Sequence, residues 1–200
     1  LARIKDAPAG IRGLSLFLVP KILPNNGQRN SLSCIGLEEK MGIHGNPTCT
    51  MSFEAATAFL VGRPNEGIKA MFTMMNEMRL GTALQGIGLS DQAFQRSYHY
   101  AIERTQGKSL NKTNKSASPA DSLIQHADIR RILMSQKALA EGGRAFAHYC
   151  ATLLDIEKSA GENAKESSVE SSKLLGLLTP IAKAFLTETG LESSSAAIQV

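Results

Sequence analysis

The sequence predicts an α+β chain, mainly α: the end of a β-barrel-like domain, then a helical domain of up-and-down four-helix-bundle type. Three observations carry that expectation. A short apolar run closed by a proline stands near the start, and the apolar period turns helical near residue 68. Polar segments then separate three long helical patterns.

Residues 1–62 read as the C-terminal part of the β domain and 63–200 as the helical domain, incomplete at its end. Gly13-Leu-Ser-Leu-Phe-Leu-Val-Pro20 has the composition of a buried strand. Residues 23–30 carry Pro24, Asn25, Asn26 and Gly27 and read as a turn. After Pro47, Cys49, Met51 and Phe53 alternate with Thr50 and Ser52, which predicts a second strand. Gly62-Arg-Pro-Asn-Glu-Gly67 supplies the break.

From Ile68 the apolar residues Met71, Phe72, Met75, Met78 and Leu84 follow a helical period, predicting a helix to about Gln106. The methionines are assigned to core packing, since a flexible thioether fills irregular gaps. Gly81, Gly86 and Gly88 follow no strand, so a dinucleotide-binding loop is rejected; close helix packing is the better use for them. Residues 108–122 read as a polar loop with chance sequons at Asn111 and Asn114. A second helix is expected from a cap at Asp128 to about Glu157, with Ile129, Ile132, Leu133, Leu139, Ala140, Phe146, Cys150 and Leu153 on its buried side. Residues 159–172 read as a linker, and Thr179-Pro180 as the cap and first turn of a last helix.

Composition narrows the functional classes. The chain has 200 residues, 42% of them hydrophobic, with no apolar run near the roughly 20 residues that span a bilayer. The net charge of +4 comes without a Lys/Arg stripe interleaved with aromatics, which argues against nucleic acid. Cys34, Cys49 and Cys150 lack CxxC spacing and the four histidines lack ligand partners, so no metal site is indicated and a reducing compartment fits. Leu1 in place of Met, and the stop after Gln199-Val200, lead us to expect a fragment of a longer protein. Asn76 and Arg79 stand out because residues three apart share a helix face, and a guanidinium on an apolar helix needs a partner.

Five pieces, in order, resemble the acyl-CoA dehydrogenase family. They are the strand 13–20, Glu39-Lys-Met-Gly-Ile-His-Gly45 with Thr48 and Phe53, Asn65-Glu-Gly-Ile-Lys69 leading to Met71 and Arg79, Arg104-Thr-Gln106-Gly107, and Ala197-Ile-Gln-Val200. The 71–79 stretch, Glu141-Gly-Gly-Arg-Ala-Phe146 and the polar insertion between them are most similar to the 3-methylmercaptopropionyl-CoA dehydrogenase-like subgroup.

The resemblance implies an FAD-dependent α,β-dehydrogenation of an acyl-CoA, with electrons passing to electron-transferring flavoprotein. An acyl-CoA oxidase or a non-catalytic FAD- and nucleic-acid-binding protein of the same fold are the alternatives. It implies a homodimer or homotetramer in the bacterial cytoplasm or mitochondrial matrix, without a membrane partner. Asn76 and Arg79 match CoA-contacting positions, although the family often has aspartate at the first. Arg104 and Gln106 match positions holding the FAD of a neighbouring subunit, in an element that here lacks its phenylalanine. Gln199 matches a residue of the same cofactor site. The general base is expected beyond Val200. Glu77 is a candidate substitute, but it sits about 100° around the helix from Met78, the position where some members carry their base, and is read as solvated.

Overall fold

The computed structural model describes residues 1–110, 118–159 and 165–200; both sequons lie outside them. It is mostly helical, with two small antiparallel sheets, and its contacts form two compact units, Leu1–Met74 and Met75–Val200.

In the first unit, strands β1 (Ala2–Arg3), β2 (Leu14–Leu18) and β5 (Phe59–Val61) form one sheet in the order β1-β2-β5. Strands β3 (Leu32–Leu37) and β4 (Cys49–Phe53) form a second. The expected strands at 14–18 and 49–53 are present, whereas β3 and β5 gave no clear period in the sequence. In β2, Leu14, Leu16 and Phe17 are only half-buried and Leu18 is exposed; the sealed side chain is Ser15, whose Oγ accepts the Asn65 N–H at 2.9 Å. Gly67 lies directly on that strand, and an added Cβ would come 2.4 Å from the Ser15 carbonyl carbon. The first turn of the helix after it is thereby pinned to β2 through a position only glycine can fill. Asn30 is the other buried polar anchor. Its amide donates to Pro20 O and Thr57 O and accepts the N–H groups of Ser31 and Thr57, at 2.8–3.0 Å.

The second unit contains three long helices, α1 (Gly67–Glu103), α2 (Ala127–Ser159) and α3 (Lys165–Ala197), of which α1 begins in the first unit. One core joins Ala83 and Ile87 of α1, Cys150 and Leu153 of α2, and Leu175, Ala182 and Leu186 of α3. A second, smaller core holds Ala101, Leu123 and Leu133, with Val200 against it. Burying a leucine such as Leu186 contributes roughly 2–3 kcal/mol. Glycine sets the helix separation. A Cβ on Gly86 would come 2.1 Å from Leu186 O, and one on Gly190 2.8 Å from Gly86 O, so α1 and α3 cross backbone to backbone. Gly81 and Gly88 face open space and have no such role.

Three expectations fail here. Asp128 does not cap α2 but lies inside its first turn, paired with Arg131. Pro180 is inside α3, and the helix begins at Lys165 instead of Thr179. Pro180 and the residue four before it, Gly176, are both exposed, so the Gly176 carbonyl that loses its donor faces water. Thr179 points inward and satisfies its hydroxyl on Leu175 O at 2.7 Å. Met78 is 62% exposed, so the methionine stripe is not a continuous core face; Met71 and Met75 are half-buried. The segment Glu166–Ala197 is also, by length and composition, apolar enough to cross a bilayer. That span was not visible as a run because Lys173, Lys183, Glu188 and Glu192 interrupt it, and its buried leucines are shared with the bundle core.

Candidate functional site

The residues singled out in the sequence fall into two groups within the helical unit. Asn76, Glu77 and Arg79 lie near the start of α1. Arg104, Gln106 and Gln199 lie at the ends of α1 and α3. Along the axis, Arg79 and Arg104 are separated by roughly 37 Å.

In the first group the Arg79 guanidinium donates to Asn76 Oδ1 at 3.4 Å, so the two residues predicted to act together do meet. Glu77 turns toward α2, where the Lys158 ammonium is 3.1 Å from its carboxylate, both side chains largely exposed. Beside it runs a groove of about 570 Å³ between α1 and α2, floored by Leu80, Leu84, Ile87 and Leu154. Arg144 and His148 stand on its rim, and Arg144 is itself paired with Asp91 at 3.4 Å. The groove is apolar with a charged edge, which suits a ligand that has an aliphatic part and a polar end.

The second group is built by the backbone. Arg104 terminates α1 through its N–H on Tyr100 O at 2.8 Å, and Gly107, at φ +63°, turns the chain. Residues 104–107 then run antiparallel to 121–123. Gln106 donates to Asp121 O (3.0 Å), Asp121 to Gly107 O (2.8 Å) and Leu123 to Arg104 O (2.8 Å). Two side chains lock the pairing. His126 Nε2 lies 2.9 Å from Gln106 O, which requires the proton on that nitrogen. The buried Asp121 carboxylate accepts the Ser109 N–H at 2.9 Å and lies 3.4 Å from the Lys108 ammonium. These contacts, the backbone hydrogen bond foremost, hold the Asp121 carboxyl below its ordinary range against the opposing effect of desolvation.

Gln199 reaches this end because Val200 packs on the small core under α1. It borders a cavity of about 550 Å³ with Arg96, Ser97 and Tyr100. Sequence reasoning passed over Arg96 and Tyr100, although the signal was present: they stand four residues apart on one face of α1, and Arg104 follows four residues later at its end. It also passed over Asp121 and His126, whose partners are reached only through the fold.

The family model for the acyl-CoA dehydrogenase C-terminal domain matches residues 65–200. Over its whole length the chain is 40% identical to the 3-methylmercaptopropionyl-CoA dehydrogenase of Ruegeria pomeroyi, of which it covers 34%. It is likewise 30% identical, over 34% of that protein, to a butyryl-CoA dehydrogenase of Syntrophomonas wolfei. The solved apo form of Bd2924 superposes with a TM-score of 0.80 at 26% identity, over 99% of this chain and 36% of that one. The chain thus spans about a third of the length of the curated relatives it matches.

Proposed function

The chain belongs to the acyl-CoA dehydrogenase family, and on that premise we propose that the protein carrying it oxidises an acyl-CoA thioester between its α and β carbons. The observation that carries the reading is the 40% identity along the entire chain to a 3-methylmercaptopropionyl-CoA dehydrogenase. It also makes 3-methylthiopropanoyl-CoA the first substrate to try. Electron-transferring flavoprotein is the proposed acceptor, and a homodimer or homotetramer the proposed assembly.

The residues at the α1–α3 end fit FAD. Arg96 and Gln199 border one cavity beside Tyr100, and Arg104 opens the backbone-fixed turn just past the end of α1. Guanidinium groups so placed suit a diphosphate, which they meet by charge-assisted hydrogen bonds. In this proposal Arg104 and Gln106 serve the FAD of a neighbouring subunit. FAD, when bound, supplies the hydride acceptor of the reaction. At the other end, Arg79, oriented by Asn76, holds the CoA portion of the substrate.

The test is anaerobic titration of the intact flavoprotein with a panel of acyl-CoA thioesters, followed in the visible flavin spectrum. Bleaching by one thioester is the expected result, with about a tenfold or greater loss of flavin affinity in Arg104→Ala. In Arg79→Ala the expected change is a rise in the acyl-CoA concentration needed, with flavin content unchanged. A flavin-loaded protein that no thioester bleaches would overturn the dehydrogenase reading.

A further inference from the structure

Strands β3 and β4 each carry one exposed cysteine, Cys34 and Cys49. Cys34 pairs with Met51 and Cys49 with Leu37, so both thiols stand on one face of the sheet, diagonal to each other. In a regular ladder such a diagonal is roughly 7–8 Å, beyond the usual span of a disulfide. This ladder is not regular. Its register shifts between Cys34 and Gly36, leaving Ile35 as the extra residue of a bulge. A bulge bends its strand and increases the local twist, so the regular-ladder spacing does not hold across it. The two thiols are close enough for Cys34 to act on the Cys49 thiol, and Cys34 Sγ itself donates to Gly36 O at 3.3 Å. Cys150, by contrast, is sealed in the helical core.

We propose that Cys34 and Cys49 form an oxidisable dithiol site that closes to a cross-strand disulfide. The oxidant is a low-molecular-weight disulfide of the glutathione class, and the matching thiol reopens the bond. Cys34 loses its proton to solvent, and its thiolate attacks one sulfur of the small disulfide. The small S–S bond breaks, one small thiolate leaves, and a mixed disulfide remains on Cys34. Cys49 then gives up its proton, attacks the Cys34 sulfur and expels the second small thiolate. Two electrons pass from the protein sulfurs to the small molecule, and the two protons end on the two small thiols.

The environment divides the roles. Hydrogen bonding to Cys34, with smaller contributions from desolvation and from the Cys34 charge, pushes the Cys49 thiol above its ordinary range. Cys49 therefore keeps its proton longer and suits the second step. The strands are joined by residues 38–48, which hold Met41 and Ile43 in solvent, so closure would tie this loop at its base.

The experiment treats the intact protein with oxidised glutathione at mildly alkaline pH, blocks free thiols and maps the peptides. The expected product joins the Cys34 and Cys49 peptides within one chain, is fully reversed by dithiothreitol, and leaves Cys150 reduced. The Cys49→Ser variant should accumulate several-fold more glutathione on Cys34 than the unaltered protein, because the second step is lost. Amide exchange in residues 38–48 should slow on oxidation. Separate, stable glutathione adducts on both cysteines of the unaltered protein, or joined peptides found only between chains, would overturn the proposal; neither readout depends on flavin or acyl-CoA.

Discussion

The two ends of α1 hold their candidate residues by different means. Near Arg79 the order comes from side chains meeting on an exposed surface: one hydrogen bond between Arg79 and Asn76, and one ion pair from Glu77 to Lys158. Near Arg104 it comes from main-chain pairing between 104–107 and 121–123, fixed by the buried Asp121 and by His126. Exposed side-chain contacts contribute little and rearrange readily, whereas a paired backbone does not. The first end can adjust to a ligand as it arrives; the second offers a geometry already set.

The strongest way to disturb both ends together is at the crossing between them. A methyl group at Gly86 would stand 2.1 Å from Leu186 O, and the obstructing atom is backbone. Helix propensity favours alanine there by about 1 kcal/mol, so the steric cost has to exceed that gain to show. Gly86→Ala is expected to destabilise the helical unit by about 3 kcal/mol in urea unfolding. Gly81→Ala and Gly88→Ala, in open space, should instead stabilise by up to about 1 kcal/mol. A stabilising Gly86→Ala would show that α1 and α3 do not cross so closely.

The next test separates the ends. Asp121 has a folded-state pKa below its unfolded value, so the stability it contributes is present above the ordinary carboxylate range. That stability is lost as pH falls through the folded value, below about pH 4. Protection of the Gln106 and Leu123 amides, read relative to the intrinsic exchange rate at each pH, should therefore fall on acidification through this window. In Asp121→Asn that protection should be lower by about tenfold already at neutral pH and insensitive to the acid step. Amides around Arg79 should not respond. Equal loss of protection at both ends would mean that the backbone pairing near Arg104 is not a local lock.

How much of this was legible in the sequence follows from the range of each interaction. The change of period at Ile68 and the buried side of α2 were readable, because local spacing encodes them. The meeting of Asn76 and Arg79 was readable for the same reason, being one turn of helix. Pro180 misled because a Thr-Pro pair marks helix starts in general; only the exposure of Gly176 and Pro180 shows how a helix passes through it. Contacts across distant segments left no local trace. Gln136, buried by packing on α3, donates to Ser193 O at 2.8 Å, a pairing no periodicity announces. The partners of Asp121, Gly86 and Cys34 are likewise set by crossings and register.

The smallest expected effect concerns Glu77, and its smallness is the informative part. The carboxylate lies at the edge of the apolar groove, where a proton-abstracting base could in principle stand. Its geometry points elsewhere: it is ion-paired to Lys158 at 3.1 Å, with about two thirds of the side chain in water (64%). A base for a weakly acidic α proton gains from desolvation and from a fixed position against the reacting carbon. An exposed carboxylate beside an ammonium has neither. Glu77→Gln should therefore change stability by under about 0.5 kcal/mol and kcat by less than about twofold. Lys158→Ala should match it in stability, since each removes the same surface pair. Single-turnover reduction of the flavin by acyl-CoA separates the alternatives, because it reads proton and hydride removal without product release. A loss of about a thousandfold or more in that step, with stability unchanged, would make Glu77 the base and reverse the reading of this end of α1 as a binding surface.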